Sequence, residues 1–157
     1  MLKIGRQYQK GFTLIELLVV VAIIGLLMSI ISVGYTTQRR KARDTKRLSD
    51  LKQIKSGMDI YFQDGSGYPD SAEWVPTTTL NCLANNILLI PHDPGYPLNE
   101  YVYTANGASA AGCGVTVRKG YDLTFYMENQ GRYYVMDEDG KLRDQLTGEL
   151  VSADTLL

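Results

Sequence analysis

The chain is 157 residues long, with 45% apolar and 21% charged residues and a net charge of −1. That is enough for about one ordinary folded domain, and it excludes a disordered polyelectrolyte. One histidine and two cysteines exclude a multi-histidine metal centre, a four-cysteine zinc site and a dense disulfide framework.

The near-neutral total hides a sorted chain. Lys3, Arg6 and Lys10 make residues 1–11 basic, and residues 36–55 carry eight basic side chains against Asp44 and Asp50. Residues 56–157 carry fourteen acidic side chains against five basic. Between the two basic blocks, Leu17 to Val33 holds no charge, and the stretch from Phe12 to Tyr35 is 24 residues interrupted only by Glu16. A helix of that length spans roughly 36 Å against a hydrocarbon core of about 30 Å. The expectation is a membrane-spanning segment over 12–35, because the remaining ~100 residues could hardly wrap an all-apolar cylinder in a soluble core. A cleaved secretory signal would need small residues of the A-x-A kind after the apolar core, and Val33-Gly34-Tyr35-Thr36-Thr37-Gln38-Arg39-Arg40 matches that poorly.

Gly11-Phe12-Thr13-Leu14-Ile15-Glu16-Leu17-Leu18, after a short basic leader and before a long apolar run, closely resembles type IV prepilins and type II secretion pseudopilins. Gly25 falls where members of that family often have a helical glycine, and Val33 stands where many have a proline. Asp59 to Pro69 is similar to the family's junction between helix and head, and Ile90-Pro91-His92-Asp93-Pro94 with Tyr101 to a segment of the major pseudopilins. The resemblance implies a leader over 1–11, cut by a prepilin peptidase between Gly11 and Phe12, and N-methylation of Phe12. It implies a single-pass inner-membrane protein with its head outside, in contact with lipid before assembly. Copies would then stack through their apolar helices on an inner-membrane assembly platform, as a homo-oligomeric helical filament in the periplasm or at the cell surface. Orientation rests on this resemblance, since more basic residues follow the span than precede it.

Glu16 is the one charge in the apolar stretch. Thr13-Leu14-Ile15-Glu16 has capping-box spacing, and a carboxylate there also opposes the positive end of the helix dipole. The resemblance adds an assembly salt bridge from Glu16 to the terminal amine of Phe12 in a neighbouring subunit. That amine has a pKa of roughly 7.7–8.0 and stays cationic when methylated. The two roles are compatible.

Leu48, Leu51, Ile54, Met58 and Tyr61 recur at three- and four-residue steps, the stripe of an amphipathic helix. No proline precedes Pro69, so one long helix is expected over 12–62, followed by a head over 63–157. Arg39 to Arg47 reads as a solvated basic face suited to lipid headgroups or to the acidic heads of other subunits. Nucleic-acid binding would call for interleaved aromatic residues, which the run lacks.

Asp64-Gly65-Ser66-Gly67-Tyr68-Pro69 is a turn cluster. Leu80, Leu83, Ala84, Ile87 and Leu88 have helical spacing and suggest a short helix ending before Pro91. Strand-like runs follow at 101–104, 115–119, 121–128 and 132–136; Tyr121, Leu123, Phe125 and Met127 alternate with polar positions, and Asn129-Gln130-Gly131 supplies a hairpin turn. The fold class is α+β, a long helix against a small antiparallel sheet. In an exported head Cys82 and Cys113 are a candidate disulfide, two buried thiols being the alternative.

Asp137-Glu138-Asp139-Gly140 is reminiscent of half a calcium loop, and some major pseudopilins bind calcium in a late loop. Lys141-Leu142-Arg143-Asp144 does not supply the later ligands, so a charged β-turn is preferred over calcium at Asp137 and Asp139, and no cofactor is expected. Any Ser/His/Asp or Cys/His arrangement would have to use His92 alone, and no phosphate-binding glycine loop occurs. The chain reads as a filament subunit rather than an enzyme. The alternatives are a major-pseudopilin-type subunit of a type II secretion system, or a membrane-anchored minor pilin that binds substrate or DNA without polymerising. Only Arg118-Lys119 supports the last of these.

Overall fold

The computed structural model describes residues 11–157, with the side chains at 30–34 left outside the description. The expected leader, Gly11 apart, therefore lies outside the described residues. The chain forms two compact units, Met1–Gln38 and Arg39–Leu157, and α1 (Leu14–Gly65) contributes to both.

In the first unit the apolar sequence is helical from Leu14 onward. Among the described residues no helix is long and apolar enough to cross a membrane. The uncharged run continues through positions 30–34, whose side chains are not among them.

In the second unit α1 ends as Ser66 turns left-handed at φ 57 and its N–H bonds to Phe62 O. A main antiparallel sheet is built around the 13-residue β5 (Val115–Met127). β1 (Tyr68–Pro69) and β6 (Arg132–Asp137) pair with successive parts of β5, while β4 (Val102–Gly112) pairs with the same residues from its other edge. β7 (Leu142–Asp144) and β8 (Leu150–Val151) continue the sheet beyond β6. The expected runs 115–119 and 121–128 are thus one strand. Gly120 lies opposite Asn106, whose Oδ1 would be 2.3 Å from any added Cβ. The turn at 129–131 joins β5 to β6 as expected, with Gly131 at φ 65.

The helical stripe Leu48, Leu51, Ile54, Met58 and Tyr61 forms one core with Tyr121, Leu123, Phe125 and Met127 of β5 and Tyr134 and Met136 of β6. The fold class is therefore α+β, as expected.

The short helix expected over 80–88 is not formed. β2 (Thr79–Cys82) and β3 (Asn85–Leu89) make a separate two-stranded hairpin instead. Leu80 and Leu88 face each other and are buried, whereas Leu83 is 74% exposed at φ 54 in the turn. A helix would have buried Leu83 with the others; the hairpin buries only the pair and Cys82. Gly57 lets the hairpin approach, since an added Cβ would sit 2.9 Å from Leu88 Cβ.

Candidate functional site

Gly11, Phe12 and Thr13 form an exposed, non-helical entry to α1. Thr13 and Glu16 make the capping box that their spacing suggests. Glu16 Oε2 accepts the Thr13 N–H at 2.8 Å and its hydroxyl at 2.7 Å, and the Glu16 N–H donates to Thr13 Oγ1 at 3.3 Å. Both bonds to the carboxylate use Oε2, which leaves Oε1 facing no donor among the described residues. From Phe12 to Met28 every large apolar side chain is between 47% and 87% exposed. A continuous apolar surface of that extent requires a covering partner.

In the second unit, the basic run is largely drawn into its own head. The apolar stripe, continued backward in three- and four-residue steps from Leu48 and Leu51, lands on Asp44 and Arg47, and both are fully buried. Arg47 reaches Asp93 through two parallel bonds of 2.7 Å, Asp44 at 2.7 Å and Glu128 at 3.0 Å. Arg43 grips Glu128 through Nε at 2.6 Å and Nη2 at 2.5 Å. Asp44 also accepts the backbone N–H groups of Glu128 and Asn129 at 2.9 and 2.8 Å, which fixes the β5–β6 turn. Lys46 and Tyr101 hold the buried Asp50 at 2.6 and 3.1 Å. Two guanidinia therefore lock three segments together: the helix, the loop at Asp93 and the β5–β6 turn.

Bidentate guanidinium–carboxylate geometry is the form in which a buried ion pair best offsets its desolvation. Burial pulls the Arg47 pKa down, but the bonds and charge of Asp93, then Glu128 and Asp44, outweigh it and the net shift is upward. The hydrogen bond from Arg43 holds the Glu128 carboxyl below its usual range against the opposing effect of burial, with Arg47 helping. A depressed carboxyl stabilises the fold fully above its unfolded pKa of roughly 4.3 and loses that contribution as pH falls through the folded value. The Glu128 contribution is thus expected to be fully present at about pH 5 and above and to be lost below about pH 4.5, and Glu128→Gln should remove that part of the acid fall in thermal melts taken across the range.

This narrows the expected solvated basic face to Arg39, Arg40, Lys41 and Lys46, which are exposed. Arg43 and Arg47 meet acids of the same chain, and Arg118 likewise pairs with Asp70 at 2.7 Å. Lys119 donates to Ser66 O at 2.7 Å, so the thin basic pair on the head serves internal contacts. Sequence reasoning singled out the segment 90–94 without assigning Asp93 a partner. The usable signal was that the helical stripe extends to Asp44 and Arg47.

The structure joins Cys82 to Cys113, tying the β2–β3 hairpin to the β4–β5 turn beside the end of α1. A Cβ on Gly65 would lie 2.3 Å from Cys113 Sγ, and one on Gly112 would lie 1.9 Å from Gly65 O. The two glycines let the helix end and the turn meet.

Asp137 and Asp139 sit at the β6–β7 turn. Asp137 Oδ1 accepts the N–H groups of Asp139 and Lys141 at 3.1 and 2.9 Å, and Arg143 donates to its Oδ2 at 3.3 Å. Lys141 Nζ is 2.7 Å from Asp139 Oδ2. The turn neutralises its own carboxylates, and among the described residues no group of three acid, histidine or cysteine side chains could hold a metal.

A family model described as the prokaryotic N-terminal methylation motif matches residues 6–32. The type II secretion system core protein G of Escherichia coli K12 is 34% identical over 113 residues, covering 66% of this chain and 77% of that one. The protein of the same name from Klebsiella pneumoniae is 33% identical over 96 residues, covering 61% of this chain and 65% of its own length. That from Pectobacterium carotovorum is 31% identical over 94 residues, covering 60% and 57% respectively. The chain thus spans less than two thirds of the length of the last two relatives. No solved structure matches. With its methylation motif, its α+β head and this likeness, the chain belongs to the family of type II secretion system core protein G, the pseudopilins.

Proposed function

We propose that this chain is the repeating, non-catalytic subunit of a type II secretion pseudopilus, held in the inner membrane by its apolar helix until it is assembled. The exposed apolar surface from Phe12 to Met28 carries this reading, since among the described residues nothing covers it. Lipid covers it first, and the helices of neighbouring subunits replace lipid in the filament through close packing. Cleavage between Gly11 and Phe12, in the exposed entry to α1, creates the cationic amine that the filament uses. A prepilin peptidase and an inner-membrane platform are the partners this reading requires.

Glu16 sets the register. Thr13 occupies Oε2, so Oε1 can accept the Phe12 ammonium of the next subunit. In low dielectric either charge alone would be strongly disfavoured. Apolar packing supplies cohesion and the ion pair supplies position. Glu16→Ala is expected to insert into the membrane normally while sheared-filament yield falls at least tenfold, an outcome scored by immunoblot of sheared and membrane fractions. Wild-type yield from that variant refutes the register role.

A further inference from the structure

The loop between β3 and β4 displays an apolar tip that no other segment among the described residues covers. Leu98 is 89% exposed, more than any other large apolar side chain of residues 39–157, and Tyr96 beside it is 53% exposed. The tip is held firmly. Asp93, gripped by Arg47, accepts the Gly95 N–H at 2.6 Å, and Tyr96 N–H bonds to Asp93 O at 3.0 Å. Leu98 N–H reaches Gly95 O at 3.0 Å, and the His92 and Tyr96 rings lie 4.4 Å apart. A well-braced loop that exposes its leucine presents it to something.

The charge beside it says to what. Arg40 and Arg43 line one cleft with Tyr96, Leu98 and Asn99. Arg43 is spent on Glu128, but Arg40 is exposed and has no ion pair among the described residues, and Lys41 after it is exposed too. The chain from residue 56 onward is otherwise strongly acidic. Arg40 and Lys41 belong to the basic block that follows the apolar stretch in the sequence. Tyrosine, leucine and arginine together favour the boundary between hydrocarbon and water.

We propose that Tyr96-Pro97-Leu98 with Arg40 and Lys41 forms a footing that seats the head on an anionic phospholipid surface before assembly. This rests on the membrane-anchored reading above. The cations draw this basic corner of an otherwise acidic head toward the bilayer, and Leu98 and Tyr96 enter its interface. Extraction into a filament would then break the footing.

The test uses the full chain in nanodiscs containing brominated phosphatidylcholine, with or without phosphatidylglycerol, and reads tryptophan quenching. Leu98→Trp is expected to be quenched at least twofold more than Leu146→Trp, a probe in the β7–β8 connection. The excess should fall by half or more without phosphatidylglycerol, or when Arg40→Gln and Lys41→Gln are added. Equal quenching of the two probes in discs that carry the chain overturns the footing alone. Shielding of the Leu98→Trp probe that scales with subunits per disc and ignores lipid charge also overturns it, in favour of a second copy as occupant. A chain that does not co-elute with discs overturns the anchored reading and the footing with it.

Discussion

Arg47→Met is expected to destabilise the head by about 3–5 kcal/mol, the usual cost of removing one partner from a buried ion network. The substitution keeps the volume of the side chain but strands Asp44 and Asp93, both essentially inaccessible to water, without their cation. Typical domains have only about 5–15 kcal/mol in total, so a fall in melting temperature of more than about 10 °C follows for a unit of this size. Circular dichroism melts of the detergent-solubilised chain measure it. Replacing Arg47, Asp44 and Asp93 together by apolar residues should recover much of the loss, since swapping a whole buried network for packing is often neutral. A small effect of Arg47→Met alone would mean that the cluster is wetter than its geometry implies.

Removing the disulfide is the second large effect. Cys82 and Cys113 are 31 positions apart, and closing a loop of that size stabilises by about 3–4 kcal/mol on the chain-entropy model. Cys82→Ser should lower the melting temperature by an amount that reducing agent reproduces in the parent chain and that adding Cys113→Ser does not deepen. The damage should centre on one corner. Ser66, Leu83 and Cys113 all hold left-handed φ values of 50 to 57 there, conformations that non-glycine residues keep only when their surroundings enforce them. Hydrogen exchange is therefore expected to rise in β2, β3 and the β4–β5 turn before it rises in the centre of β5.

The periodicity of the sequence was informative wherever one face of an element is apolar and the other polar. Leu48 to Tyr61 and Tyr121 to Met127 could be assigned because burial selects every third or fourth residue of a helix and every second residue of a strand. The same rule misled at 80–88. Five apolar residues in a short window fit either period, and the deciding contacts, Leu88 on Gly57 and Cys82 on Cys113, are made with distant residues. The charge network was hidden for a related reason. Arg43, Asp44 and Arg47 sit among eight basic residues that look solvated when counted together. Their fate depends on Asp93 and Glu128, 46 and 81 positions from Arg47, and no local pattern links them. The capping box at Thr13 and Glu16 and the apolar run were legible, because both are local.

As the subunit proposed above, the chain is expected to be cut between Gly11 and Phe12 and methylated at Phe12 before it assembles. Intact-mass measurement of the chain, isolated from membranes of cells with a functional prepilin peptidase, addresses it directly. The expected mass is that of residues 12–157 plus one methyl group. An unprocessed chain that still begins at Met1 would contradict it.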